Sequence, residues 1–148
     1  MIKYTYKAFT PVDLPTENQI QQITDFLNTH LQEYGDDPKD IRSAIDFALD
    51  EKEKFGGLVI LAFAQKEIAG AVIINKTGMG GYIPENILVY IAVHQKHRGQ
   101  GLGKKLMQHA IKLCDGAIAL HVEPDNPAKF LYEKMGFENK YLEMRYNR

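Results

Sequence analysis

Cysteine is almost missing from this chain. Cys114 is the only one, which excludes an internal disulfide and any cysteine-based metal site. Its place in the helical repeat Leu102, Leu106, Ala110, Leu113 assigns it to the core before any reactive role. A charge excess is missing too: 18 Lys and Arg stand against 19 Asp and Glu, for a net charge of -1. Nothing in that balance favours nucleic acid or a polyanionic surface as partner. No apolar run reaches the length of a membrane span, and Met1-Ile-Lys-Tyr-Thr-Tyr-Lys lacks the apolar core of a signal peptide. The expectation is a cytoplasmic protein that does not associate with membrane. Linkers, repeats and low-complexity stretches are absent as well. With 148 residues, 45% of them hydrophobic, the chain is expected to form one domain over residues 1–148.

What is present divides by periodicity. Residues 4–9 alternate aromatic and polar side chains and read as a strand ended by Thr10-Pro11. Thr16 is a candidate N-cap for a helix whose apolar positions Ile20, Ile23, Leu27 and Leu31 recur at helical spacing, with Phe26, His30 and Tyr34 widening the face and Gly35 as the stop. His30 on such a face reads as a core-edge residue. Asp36-Asp37-Pro38-Lys39-Asp40 starts a second helix with Ile41, Ile45, Ala48 and Leu49 on one stripe, and residues 51–54 form its solvated end. From Leu58 the period changes to that of strands: 58–64 and 68–74 form a hairpin, 87–93 a central strand, 117–122 another, and 141–146 a closing antiparallel edge strand. Asp125 or Asn126 caps a last helix, with Pro127 at its first position and Gly136 after its last turn.

Glycine is concentrated where it carries chemistry. The β-branched run 87–93 is followed by His94-Gln-Lys-His-Arg-Gly-Gln-Gly-Leu-Gly-Lys104 and then by an amphipathic helical pattern. Gly99, Gly101 and Gly103 remove Cβ atoms that would hold a ligand off the backbone, so several N–H groups can converge on one anion. The helix that follows adds the positive end of its dipole. A phosphate-bearing ligand is the direct inference. A Walker loop would need glycine at Arg98 and Ser or Thr at Lys105, and a dinucleotide fingerprint would need a small residue at Lys104. Neither fits.

Arg98-Gly99-Gln100-Gly101-Leu102-Gly103 resembles the Q/R-x-x-G-x-G/A signature of the GNAT superfamily of N-acetyltransferases. Downstream, Asn126, Ala128, Tyr132, Gly136 and Phe137 resemble the second signature of that family, N-x-x-A-x-x-x-Y-x-x-x-G-F, with the step from Asn126 to Ala128 one residue short. The resemblance covers residues 87–137. It implies an α/β fold with a central mixed, mostly antiparallel sheet, one parallel β-α-β crossover, helices on both faces and two parallel strands that splay apart. It also implies acetyl-CoA as acyl donor, its pyrophosphate held by Arg98, Gly99, Gln100, Gly101, Leu102, Gly103 and Lys104, with Asn126 a further contact. The main-chain N–H groups of Ile91 and Val93 are implied to face the thioester carbonyl, and Tyr132 to serve as general acid toward the coenzyme sulfur.

Acyl transfer to an amine needs a neutral amine, a stabilised oxyanion and a leaving thiolate. An ordinary phenol is a weaker acid than a thiol, by roughly 2 kcal/mol, so Tyr132 must be tuned or must mainly hydrogen-bond the thiolate. The base is unassigned: residues 87–93 hold no carboxylate, while Glu85, Tyr90 and Glu123 lie near. Asp36, Asp37 and Asp40 complement a helix dipole. In GNAT proteins the connection between the first two helices borders the acceptor site, so these carboxylates are also candidates to attract a cationic amine. His94-x-x-His97 has no third ligand nearby and reads as a solvent-exposed loop pair, so no metal is expected. His121-x-Glu123-Pro124 lacks the downstream cysteines of a zinc deaminase.

The expected function is acetyl-CoA-dependent transfer of an acetyl group directly to a primary amine of an unknown small-molecule or peptide acceptor. No cysteine or serine is placed for a covalent intermediate, which predicts ternary-complex kinetics. The rival reading is a non-catalytic module that binds and senses acyl-CoA. A C-terminal edge strand would suit a homodimer.

Overall fold

The computed structural model describes residues 2–148. Five strands form a mixed sheet in chain order: β1 (Tyr4–Phe9), β2 (Gly57–Ala64), β3 (Glu67–Lys76), β4 (Asn86–Val93) and β5 (Ile118–Leu120). The first four pair antiparallel and β4 pairs parallel with β5. The helices are α1 (Glu17–His30), α2 (Pro38–Ala48), α3 (Leu102–Leu113) and α4 (Ala128–Lys134). Helix α3 is the crossover that the parallel pair requires.

Local chemistry sets the ends of these elements. Thr16 and Gln19 form a reciprocal capping box, Gln19 N–H donating to the Thr16 hydroxyl at 3.1 Å and Thr16 N–H donating to Gln19 Oε1 at 2.8 Å. Helix α1 ends at His30, short of the expected stop at Gly35, because Gln32 turns left-handed at φ 56°. Pro38 opens α2 in its first turn. Helix α4 is capped by Pro127 without a side-chain cap bond, later than either sequence candidate, while Ala128 N–H donates to Asn126 Oδ1 at 2.9 Å.

Two apolar layers enclose the sheet. One face packs Val59, Leu61, Ala71, Ile73, Tyr90 and Ala92 under α1 and α2, which contribute Ile23, Leu27, Ile41 and Ile45. The other packs Ile60, Val72, Ile74 and Leu88 under Leu102, Leu106, Met107 and Ala110 of α3 and Tyr132 of α4. Both faces of β2 and β3 are covered, which accounts for their near-continuous apolar runs.

The last two predicted strands depart from the sequence expectation. Only Ile118–Leu120 pair within the predicted strand 117–122. Residues 141–146 form no strand, and Tyr141, Leu142, Met144 and Tyr146 are all more than four-fifths exposed. Alternation specifies a strand only beside an edge able to receive it, and β5 offers three residues. The edge strand proposed to support a homodimer is therefore not formed.

Candidate active site

The site begins with an irregularity in β4. Ile73 lies opposite Tyr90 and Ile74 opposite Leu88, so Val89 is an extra residue, a β-bulge. The alternation inverts there. Leu88 packs with the α3 layer, Val89 and Tyr90 both pack with the α1–α2 layer, and Ile91 returns to the α3 side. Pairing between β4 and β5 covers only Asn86 to Leu88 and stops at the bulge. Below it the two strands are pinned by buried Asn86, whose side-chain amide donates to the Asp115 carbonyl at 2.7 Å and to the Ala117 carbonyl at 3.2 Å. Beyond the bulge the β4–β5 ladder ends, leaving a gap in the sheet on that side of β4.

Register decides which groups face that gap. Val93 lies opposite Gly70 and Ile91 opposite Val72, while His94 N–H donates to the Ala69 carbonyl at 2.8 Å. Antiparallel pairs alternate between hydrogen-bonded and non-hydrogen-bonded, so Ile91 and Val93 are the non-bonded ones. Their N–H and C=O groups point away from β3, into the gap. Arg98 Nε donates to the Val93 carbonyl at 3.1 Å from that side.

The glycine loop follows directly. Gly99 and Gly101 adopt φ 78° and 79°, and a Cβ on either would meet nothing within 4 Å. Their role is left-handed backbone beside open space. Gly103 differs: it lies in the first turn of α3, and a Cβ there would meet Leu131 at 3.4 Å and Val93 at 3.9 Å, between the two walls of the gap. Among the described residues, no acceptor is bonded to the backbone N–H groups of Gly99, Gln100, Gly101, Leu102, Gly103 or Lys104. Consecutive unpaired donors at a helix N-terminus fit a pyrophosphate.

The loop is fastened by side chains. Arg98, though exposed, spans two backbone carbonyls, its second contact being a 2.8 Å bond to the His30 carbonyl at the end of α1. Tyr4 Oη donates to Gln100 Oε1 at 3.2 Å and lies 3.0 Å from His97 Nδ1. His97 is 4% exposed, against the expectation of a solvent-exposed pair, because the short turn from Gln95 to His97 folds it beneath the loop beside Tyr4. His94 is half-buried, stacked on His30 and 3.2 Å from Glu67. Among the described residues no group of His, Cys, Asp and Glu has the geometry of a metal site.

On the other wall Tyr132 is 8% exposed and burial pushes its phenol above the ordinary range. Among the described residues its hydroxyl has no hydrogen-bond partner. Asn126 accepts from Ala128 N–H through its carbonyl oxygen, and among the described residues its amide nitrogen has no hydrogen-bond partner. Cys114 has its thiol pushed up to about 11 by burial, which keeps it protonated and unsuited to nucleophilic attack.

Of the carboxylates near β4, Glu85 sits at the wrong end. It accepts from Ala117 N–H at 3.3 Å and lies eight residues before Val93, about 26 Å along an extended strand. Tyr90 is better placed and is not alone: its hydroxyl donates to Asp36 at 2.5 Å, and burial, then Asp36 and Asp40, raise its pKa well above that of a free phenol. Tyr34 Oη reaches the Asp125 carbonyl at 3.5 Å, bringing the α1–α2 connection against the loop after β5. Its pKa is raised by desolvation and then by Asp125, Glu33 and Glu123. Asp36 and Tyr90 stand 54 positions apart, so no local pattern in the chain marks them as a pair.

The acetyltransferase (GNAT) family model matches residues 20–137. The chain belongs to that family. N-alpha-acetyltransferase 40 of Saccharomyces cerevisiae is 31% identical over 109 residues, 57% of this chain and 38% of that protein. The 5-NmdU N-acetyltransferase of Pseudomonas phage PaMx11 is 38% identical over 56 residues, 36% of this chain and 40% of that one. Cysteine-rich protein 2-binding protein of Mus musculus is 35% identical over 57 residues, 38% of this chain. The chain thus spans well under two thirds of the curated relatives it matches, between 7% and 40% of their length. A transcriptional regulator from Bacillus halodurans C-125 shares the fold at a TM-score of 0.69 and 19% identity, covering 99% of this chain and 100% of that one. The NatC complex bound to Gag peptide and CoA does so at 0.69 and 23%, covering 93% of this chain and 86% of that one.

Proposed function

We propose that this GNAT chain is an acetyl-CoA-dependent N-acetyltransferase that moves the acetyl group directly to a primary amine, with residues 1–148 acting as one catalytic domain. One observation carries the reading: unpaired N–H groups run from Gly99 to Lys104 into a gap toward which Ile91 and Val93 also turn their amides. The loop amides hold the diphosphate, the gap receives the pantetheine arm, and the strand amides stabilise negative charge on the thioester oxygen. The NatC complex that shares this fold was solved bound to CoA, which supports the choice of cofactor.

Tyr132 donates a hydrogen bond to the sulfur as charge develops there. Its raised pKa makes full proton transfer less favourable than for a free phenol, so the hydrogen-bonding role is the one the site supports. At the acceptor end, Asp36, fixed by Tyr90, draws in the ammonium by its negative charge. N-alpha-acetyltransferase 40 and the phage enzyme are both named as N-acetyltransferases, which supports an amine acceptor without choosing between peptide and small molecule.

The test is release of free thiol from acetyl-CoA across a panel of amines, run beside calorimetric titration with CoA. Turnover with at least one amine and saturable CoA binding are expected. Tight CoA binding with no turnover across the panel would favour the acyl-CoA sensor. No heat and no saturation at millimolar CoA would end both readings.

A further inference from the structure

A second groove lies on the α3 side of the sheet, away from the gap. Helix α3 covers β2, β3 and β4 but stops short of the edge strand, leaving about 650 Å³ of open space between α3 and β1, within the range of small-molecule sites. Its floor is aromatic: the rings of Tyr6 and His109 lie 4.1 Å apart at 33°, and Tyr4 continues the surface toward the loop. Its rim is basic, with Lys3 from the start of the chain and Lys105 and Lys112 two turns apart on α3. Among the described residues no Asp or Glu lines it and none of these three lysines is in an ion pair. In a chain with one net negative charge, three unmatched lysines around stacked rings form a local exception.

We infer that this groove binds a planar aromatic anion, its ring laid on Tyr6 and His109 and its carboxylate or phosphate held by the lysines, and that occupancy is felt at the glycine loop through Tyr4. Aromatic rings offer flat apolar surface and favour offset or tilted stacking, and three ammonium groups around an apolar floor attract an anion carrying an apolar body. Tyr4 supplies the connection. Its ring lines the groove while its hydroxyl holds Gln100 and His97. A ligand that shifts the ring moves a fastening of the loop, and its effect on cofactor affinity must be reciprocal. This coupling rests on the proposed binding of CoA at the loop; the binding of the anion does not.

The experiment is calorimetric titration of the full chain with 1-naphthyl phosphate, first without CoA and then with CoA saturating. Saturable binding that persists in the presence of CoA is expected, weakened roughly fivefold by Lys112→Glu, a change of exposed charge about 15 Å along α3 from the loop. A His109→Ala variant, checked for native circular dichroism, is expected to weaken it as well. Displacement by CoA with no effect of Lys112→Glu would place the compound on the glycine loop and overturn the proposal. Equal binding of uncharged 1-naphthol would remove the anion requirement, and equal binding of inorganic phosphate the aromatic one. For the coupling, 1-naphthyl phosphate is expected to change the dissociation constant of CoA about threefold or more in the native chain and not in Tyr4→Phe, which keeps the ring and loses the hydroxyl. An unchanged constant in the native chain would overturn that part alone.

Discussion

The hydroxyl of Tyr90 donates to the carboxylate of Asp36 across 2.5 Å, tying the bulged central strand to the connection between α1 and α2. The bond fixes one carboxylate next to the strand segment whose amides turn into the gap. If Asp36 receives the acceptor amine, Asp36→Asn is expected to raise the acceptor KM roughly tenfold, the scale of one charge-assisted contact, with the KM for acetyl-CoA little changed. Steady-state kinetics varying each substrate in turn checks this. An unchanged acceptor KM in the double variant Asp36→Asn, Asp37→Asn would remove the carboxylates from acceptor recognition.

Tyr132→Phe keeps the ring that packs beside Phe137 and removes only the hydroxyl. The expected loss in kcat is about 10- to 100-fold, the span of a hydrogen bond to a developing charge at roughly 1.5–3 kcal/mol, with CoA affinity within about twofold. Because burial raises the pKa of Tyr132, the phenol stays protonated throughout the neutral range. Its ionisation limits the rate only as pH climbs past about 10, the ordinary phenol value. An alkaline limb shared by native enzyme and Tyr132→Phe would show that another group sets it.

The strand, loop and helix of residues 87–113 were legible because their signals are local. Branched apolar residues, glycines at alternate positions and a helical stripe can each be read within a few neighbours. The capping of α1 by Thr16 was legible for the same reason. Val89 was not, since an extra residue in a strand leaves no mark in composition; only the register against β3 exposes it. Nor was the burial of His97, which depends on Tyr4 arriving from the other end of the chain. The failed edge strand at 141–146 shows the reverse: the alternation is present but β5 is too short an edge to receive it.

The three loop glycines should separate by conformation. Gly101→Ala forces an alanine to φ 79°, a cost of about 1–2 kcal/mol, which the loop can relieve only by rotating its amides off the bound anion. CoA affinity is expected to fall roughly tenfold. Gly103→Ala meets only ordinary contacts with Leu131 and Val93, so thermal stability should hold within a few degrees. The added methyl lies between the walls of the gap, and any loss should appear against the pantetheine arm. Comparing ADP, which lacks that arm, with CoA as ligands distinguishes the two: Gly101→Ala weakens both, and Gly103→Ala weakens CoA alone.

Acid should loosen the loop from below. The His30 ring accepts a hydrogen bond from Gln95 N–H at 3.3 Å and stacks on His94 with centroids 4.1 Å apart. Burial lowers its pKa, the nearby charges of His94 and Arg98 lower it further, and Glu67 opposes them. A base whose pKa is lower folded than unfolded takes its proton first in the unfolded chain, so acid favours unfolding. The contribution is complete above about pH 6.5, the ordinary histidine value, and is lost as pH falls through the lower folded value. The melting temperature is therefore expected to drop between about pH 7.5 and pH 5.5. His30→Gln retains an acceptor for Gln95 but cannot titrate, so its melting temperature should fall less over the same interval. Since Gln95 opens the turn that leads into the glycine loop, CoA affinity should weaken with acid along the same curve in the native chain and more gently in the variant. Identical pH dependence in the two proteins would mean that His30 keeps its ordinary pKa and that the fall belongs to other groups.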